Sequence, residues 1–244
     1  MMIEPEVKAQ IRKNLELVQE RIDNAAHKAG RTPGEIKLLV VTKTHPVEII
    51  ENVLAAGAVN LGENYVDEAR DKIVALQQYT QCQWHMIGHV QSRKSSQVVD
   101  YFNYLHSLDS VKLAQRLSSQ AREKNKTLPV LLEFNLSGEE SKSGWRVGSE
   151  TDLEDLLPDI EKVIHLENLQ VCGLMTMPPY FDNPEHTRPY FRKLFRLREL
   201  LQRQFQYIDW KELSMGMSGD FEVAIEEGAT WVRIGQAILG ARHP

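Results

Sequence analysis

Eight short apolar runs, each followed by a turn and a longer amphipathic stretch, constrain the fold of this chain more than any other feature. The runs are IKLLVV (36–41), VNLG (59–62), WHMIG (84–88), YLHSL (104–108), PVLLEFNL (129–136), LQVCGLMTM (169–177), ELSMGM (212–217) and WVRIG (231–235). Helical patterns such as PVEIIENVLAAG, SVKLAQRLSSQAREK, EHTRPYFRKLFRLRELLQRQ and DFEVAIEEGA alternate with them. Strands that alternate with helices form a parallel sheet with the helices outside. A count of eight favours a closed (β/α)8 barrel, the TIM-barrel architecture of about 250 residues, over an open doubly wound sheet. The chain has 244 residues, and neither a low-complexity tract nor a Gly/Ser linker divides it, so residues 1–244 read as one α/β domain. An extra N-terminal helix precedes the first strand. It carries Val7, Ile11, Leu15, Val18 and Ile22 at helical spacing within residues 5–29 and stops near Gly30, which suits packing against the barrel.

Composition removes several functions. Hydrophobic residues make up 42% and charged residues 26%, the balance of a globular protein. A formal net charge of −5 disfavours non-specific nucleic-acid binding. The two cysteines, Cys82 and Cys172, match no metal-ligand spacing, so neither a zinc site nor a disulfide framework is expected. HMIGH (85–89) is no zinc motif either, because it falls in a strand and Met86 stands where the glutamate of H-E-x-x-H would be. The N-terminal MMIEPEVKAQ lacks the apolar core of a signal peptide, and no run approaches a membrane span. A cytoplasmic protein with no membrane, nucleic-acid or metal partner is expected.

In a barrel of this kind, function gathers at the C-terminal ends of the strands. Lys43 ends the first run, GEN (62–64) the second, His85 to His89 the third, Asn135 the fifth and MTMPP (175–179) the sixth. SMGMS (214–218) and Arg233 to Gly235 end the seventh and eighth, the usual phosphate corner. A lysine at a barrel mouth is partly desolvated, which favours the neutral, nucleophilic amine needed for Schiff-base formation. Position alone also allows a lysine snorkelling at a strand end. Ser214, Gly216, Ser218 and Gly219 lie between a strand and a helix, where small residues let backbone amides approach an anion. An ordinary capping turn with Asp220 as the cap reads equally from that segment. Glu222, Glu226 and Glu227 should face solvent, since they would repel an anion at the loop. Arg233 inside an apolar run needs a carboxylate, a phosphate or a ring acceptor, and an ion pair with a barrel glutamate is the structural reading. His85 lines the mouth or serves as a satisfied core histidine. SGEESKSGW (137–145) reads as a mobile loop with Lys142 solvated. An amine on the first strand, a phosphate cradle after the seventh and eighth and a nearby arginine together suit a phosphorylated aldehyde held on lysine. Pyridoxal 5′-phosphate is such a molecule.

The motifs VVTKTHP, LGENYVDEA, QWHMIGHVQSRK, SKSGW, GLMTM and LSMGMSGDFEVAIEEGATWVRIGQAILGAR also resemble the pyridoxal phosphate homeostasis protein family, the PROSC-like proteins. The resemblance runs from about residue 36 to residue 242, with six motifs in the family's order. It implies a single barrel similar to the N-terminal domain of alanine racemase, which binds pyridoxal phosphate, has no established catalytic activity and bears on vitamin B6 and amino-acid balance. Carried over by motif, Lys43 forms the Schiff base, and Asn64 and His85 line the cofactor. Ser214, Met217, Ser218 and Gly235 surround its phosphate, while Arg233 faces the pyridine nitrogen. His45 stands where many relatives have lysine, and Arg93 where asparagine is frequent.

Racemisation needs an acid/base group on each face of the cofactor. In racemases resembling this barrel the second is a tyrosine from a further, β-rich domain, and the sequence ends nine residues after Gly235. Tyr65 is the barrel's own substitute. An arginine at the pyridine nitrogen also leaves a weaker electron sink than an aspartate. The expectation is therefore a non-catalytic protein that stores pyridoxal phosphate and delivers it to pyridoxal phosphate-dependent apoenzymes. The alternatives are a weak pyridoxal phosphate-dependent racemase, a cofactor-free Schiff-base aldolase, and a regulatory module whose cofactor occupancy changes a partner contact.

Overall fold

All eight apolar runs form strands, and the strands close on themselves. The computed structural model describes residues 5–148 and 150–240. Helix α1 (Pro5–Lys28) leads into β1 (Lys37–Val41), followed by α2 (Val47–Ala55), β2 (Asn60–Glu63), α3 (Val66–Ala75), β3 (Gln83–Met86), α4 (Ser95–Tyr101), β4 (Tyr104–Leu108) and α5 (Val111–Glu123). Then come β5 (Leu128–Asn135), a two-residue β6 (Trp145–Arg146), α6 (Glu150–Ile164), β7 (Leu169–Met175), α7 (Arg188–Gln204), β8 (Glu212–Ser214), α8 (Phe221–Glu226), β9 (Trp231–Ile234) and α9 (Gln236–Leu239). Strand order is β4-β3-β2-β1-β9-β8-β7-β5, all parallel, and pairing of β4 with β5 closes the ring. The sixth run is therefore β7, because β6 pairs only with the end of β5, outside the ring.

Three strand ends differ from the sequence expectation. β1 stops at Val41, so Lys43 lies two residues beyond it, in a turn where His45 N donates to Thr42 O at 3.1 Å and Thr44 adopts φ 66°. β3 stops at Met86 and β8 at Ser214, leaving His89 and Met215–Ser218 in loops. In α1 the buried stripe is Ile11, Leu15, Val18, Ile22, Ala25 and Ala26, whereas Val7 is 37% exposed. This helix packs on α8 and α9, with Asn14 Nδ2 donating to Ile238 O at 2.8 Å. The last barrel helix has only four residues, and α1 covers the ring beside it.

Alternation along each strand sends one set of side chains under the helices and the other into the lumen. Val40, Leu61, Leu105, Val130 and Val232 belong to the first set. The second set is unusually polar. His85 on β3 and Trp231 on β9 stand three places apart in the ring, yet their ring centroids are 4.9 Å apart, a contact possible only across the lumen. His106 Nδ1 lies 2.9 Å from Ser214 Oγ, also across it, and His85 Nδ1 lies 3.0 Å from His106 Nε2. Below them Lys37 closes the barrel floor, its ammonium 4.7 Å from the Trp231 ring and paired with Glu212.

A second polar knot fixes the turn that carries Lys43. Lys72 reaches inward from α3 and donates to Thr42 O at 2.9 Å, to Glu63 Oε1 at 2.8 Å and to Glu68 Oε1 at 2.5 Å. Thr42 Oγ1 donates to the same Glu63 oxygen at 2.7 Å, and Thr44 N donates to Glu68 Oε1 at 2.6 Å. Thr42, Glu63 and Lys72 are all buried. Both neighbours of Lys43 are thereby tied to the β2–α3 unit.

Two outcomes follow from these interior groups. Lys72→Met strands Glu63 without its cation and should cost about 3–5 kcal/mol in urea unfolding. Adding Glu63→Gln should return most of that loss; a single variant within about 1 kcal/mol of the parent would contradict the knot. The imidazoles set a pH dependence. Burial, with Lys37 adding, pushes His85 down to about 3 from an ordinary 6.5, and burial likewise holds His106 well below that value. The unfolded chain therefore takes up protons first as pH falls, so stability is full above about 6.5 and declines below it. His85 alone should remove about 2 kcal/mol by about pH 5, with His106 acting in the same direction. Urea midpoints that stay flat between about pH 7.5 and 5 would exclude neutral buried imidazoles.

Candidate functional site

The barrel mouth is assembled from loops whose close approach glycine alone permits. A Cβ on Gly88 would lie 2.3 Å from Asn64 O, so the β3 loop can rest on the backbone of Asn64 only because residue 88 has no side chain. Ser107 Oγ donates to Gly88 O at 2.6 Å and holds that contact from β4. Asn64, Gly88, His89, Glu133, Lys142 and Met177 line a cavity of about 190 Å³. Asn135 organises its far wall. Its Oδ1 accepts from Ser137 N at 3.2 Å and Gly138 N at 3.1 Å, and its Nδ2 donates to Glu139 O at 2.7 Å. Lys142 is consequently held and not solvated, with Nζ 3.2 Å from Glu139 Oε1 and 3.4 Å from Met177 O.

On the other side of the mouth, Gly216 adopts φ 92°, and a Cβ there would lie 2.6 Å from Ala224 Cβ. The loop thereby turns onto the start of α8. Met217 N donates to Asp220 Oδ1 at 2.7 Å, so Asp220 holds the N-cap position of α8 but turns its carboxylate back into the loop, with no side-chain cap bond. Ser218 Oγ accepts from Ala237 N at 3.2 Å and joins the β8 loop to the β9 loop. Register pairs Val40 with Ile234, which sets Gly235 beside Val41, two residues before Lys43. Adjacent strands β8, β9 and β1 thus bring the loops of Met217, Ser218, Gly235 and Lys43 to one edge of the mouth. Lys43, Met217, Ser218 and Gly235 are all half-buried there.

Arg233 lies at the centre, fully within the protein. Its Nη1 donates to Ser214 Oγ at 2.7 Å and its Nη2 to Thr176 O at 3.0 Å. No carboxylate pairs with it among the described residues, so the ion pair with a barrel glutamate is not formed. Burial lowers its pKa to about 10, against the opposing pull of Asp220 and Glu133. Of the residues expected around the cofactor, Ser214 and His85 are buried: Ser214 Oγ stands between Arg233 and His106, and His85 packs among Tyr104, His106 and Trp231 inside the barrel. Because a guanidinium can only donate, the serine and the two imidazoles fix its orientation from below. Glu226 and Glu227, expected in solvent, are instead paired with Arg188 on the barrel's outside, away from the loop, and Glu222 pairs with Arg21.

Sequence reading missed four residues of this assembly: Lys72, His106, Thr176 and Glu133. A signal existed for two of them. Glu133 interrupts the apolar PVLLEFNL, and His106 interrupts YLHSL, each at a lumen-facing position. Among the described residues no group of three His, Cys, Asp or Glu side chains could hold a metal ion, and no helix is long and apolar enough to cross a membrane.

Comparison with known proteins agrees with this geometry. A pyridoxal phosphate homeostasis protein of Aquifex aeolicus is 44% identical over 228 residues, 93% of this chain and 96% of the relative. One of Vibrio alginolyticus is 42% identical over 235 residues, 95% of this chain and 97% of the relative. The solved structure of PipY from Synechococcus elongatus with pyridoxal phosphate bound superposes with a TM-score of 0.81 at 32% identity, covering 95% of this chain and all 100% of that one. A closed ring of eight parallel strands, a mouth built by its loops, and a match of residues 9–243 to the family described as alanine racemase, N-terminal domain, make this chain a member of that family.

Proposed function

We propose that this protein binds pyridoxal 5′-phosphate as a Schiff base on Lys43 and holds it for delivery to pyridoxal phosphate-dependent apoenzymes in the cytoplasm, with the whole chain serving as one cofactor domain. The observation that carries this reading is Arg233: a buried guanidinium with no carboxylate partner among the described residues and its orientation fixed from beneath. Such a group suits a neutral ring acceptor. The rest of the mouth fits the cofactor's other parts. Met217, Ser218 and Gly235 offer small, backbone-rich loops for a phosphate, and Asn64 keeps a buried, unbonded Oδ1 toward the cavity. His85 and Ser214 act through Arg233.

Pyridoxal phosphate supplies an aldehyde that an amine captures reversibly and a ring that withdraws electrons. What the protein does with that ring follows from its own residues. Arg233 donates to the ring nitrogen instead of protonating it, because even at about 10 its pKa keeps the proton on the guanidinium near neutral pH. A ring so held stabilises little carbanion character, which favours holding over turnover. The turn that carries Lys43 is fixed from both sides, the two threonines beside it being bonded into the β2–α3 unit.

Borohydride reduction followed by peptide mapping checks the assignment. One pyridoxyl group on Lys43 is expected, and Lys43→Ala should lose the bound chromophore entirely. Label on another lysine would remove the centre of the proposal. Steady racemisation or transamination of amino acids at cellular concentrations would overturn the non-catalytic half of it.

A further inference from the structure

Two residues that line the mouth cavity each keep a buried oxygen with no hydrogen-bond donor: Glu133 Oε2 and Asn64 Oδ1. Both residues line the same space, and Glu133, on the inward face of β5, is only 6% exposed. The cations around it are engaged elsewhere. Arg233, facing it from β9, donates to Ser214 and Thr176. Lys142, from the loop after β5, is bonded to Glu139 and Met177 O. From the end of β4 Asp109 adds a like charge, itself 2.8 Å from His89 Nδ1 of the β3 loop. Burial, with Asp109 adding and Arg233 opposing, pushes the Glu133 carboxyl up to about 7. Buried acceptors without donors cost free energy, and a ligand carrying N–H groups would recover it. Ile87, Phe134 and Met177 give the same cavity an apolar wall.

We propose that this cavity is the entry site for primary amines that take the cofactor over from Lys43, with Glu133 Oε2 and Asn64 Oδ1 receiving the ammonium N–H groups. The inference rests on the cofactor being held at Lys43, as proposed above. It names the chemical class that unloads the protein: a free amino acid or the lysine side chain of a recipient. An alkylammonium ion has no lone pair and must lose a proton before it can displace another amine. Glu133 is placed to accept it, and the transfer of one proton converts ammonium and carboxylate into neutral amine and neutral carboxyl without any further reagent. The incoming nitrogen would then bond to the aldehyde carbon as that carbon's bond to Lys43 Nζ breaks, and Lys43 would leave as the free amine, with no change of oxidation state. The ammonium ion itself draws the carboxyl toward its ionised form as it enters.

The test uses the loaded full-length protein and two nucleophiles, n-butylamine, which is an ammonium ion at neutral pH, and hydroxylamine, which is not. Loss of the bound chromophore is followed for each. In Glu133→Gln the ratio of the butylamine rate to the hydroxylamine rate should fall at least tenfold, and the rise of the butylamine rate across neutral pH should flatten. Glu133→Asp should recover part of the ratio. A second readout needs no exchange: after borohydride reduction fixes the cofactor on Lys43, n-butylammonium should raise the unfolding midpoint of the parent in a saturable way, whereas n-butanol should not, and Glu133→Gln should abolish the shift. Equal slowing of both nucleophiles, or an unchanged ratio, would overturn the role of Glu133. Absence of the Lys43 adduct would instead refute the cofactor reading, so the two failures are told apart.

Discussion

A buried lysine outside the lining of the mouth cavity decides where the backbone of Lys43 stands. Lys72 is held inside α3 by two glutamates and one backbone carbonyl, and that carbonyl belongs to Thr42. Removing three N–H groups of an ammonium from water is tolerable only with all of them bonded, so the geometry of the knot leaves little freedom. The turn at Thr42–Thr44 inherits that rigidity. β1 alone could not supply it, because its ladder ends with Thr42 N donating to Gly62 O at 3.0 Å, one residue short of Lys43. A side chain that starts from such a fixed point samples fewer positions than one carried on a free loop.

The lumen shows how the same logic extends downward from Arg233. Barrels of this type commonly fill their interior with branched aliphatic side chains. Here Leu39, Leu131 and Met175 are joined by two histidines, a serine, a tyrosine, a tryptophan and a floor of Lys37 with Glu212. Most of these groups find partners across the lumen, although Tyr104 OH, Trp231 Nε1 and His85 Nε2 do not. The arrangement is poorer as a hydrophobic core than an aliphatic one would be. It is better as a mount, because each hydrogen bond in the chain from His85 through His106 and Ser214 restricts the guanidinium above.

Much of this was legible in the sequence, for identifiable reasons. Strand positions were readable because the runs are bounded by Gly, Pro and polar turns, and eight of them leave few topologies. That Lys43, Asn64, Met217, Ser218 and Gly235 lie in loops at the strand ends is readable because the barrel rule points there. That His85 and Ser214 are buried is not, since a run alone does not reveal how far a side chain stands below the rim, and in a sheared barrel neighbouring strands differ in height. Lys72 was unreadable for a related cause. VDEARDKIVA looks like a solvated helix, and only the tertiary position of Glu63 turns its lysine inward.

The seam of the ring joins segments from opposite regions of the sequence: β1 pairs with β9, and α1 lies against α8 and α9. During synthesis, then, one edge of β1 must stay open until the last described strand has emerged, with its backbone groups available to any other strand. Closure of so distant a pair is entropically late and slow. The corner formed by Lys43, Ser218 and Gly235 comes into being only at that moment. In a nascent or truncated barrel the three residues therefore belong to separate segments, and the corner is a product of the last step of folding rather than of any local sequence.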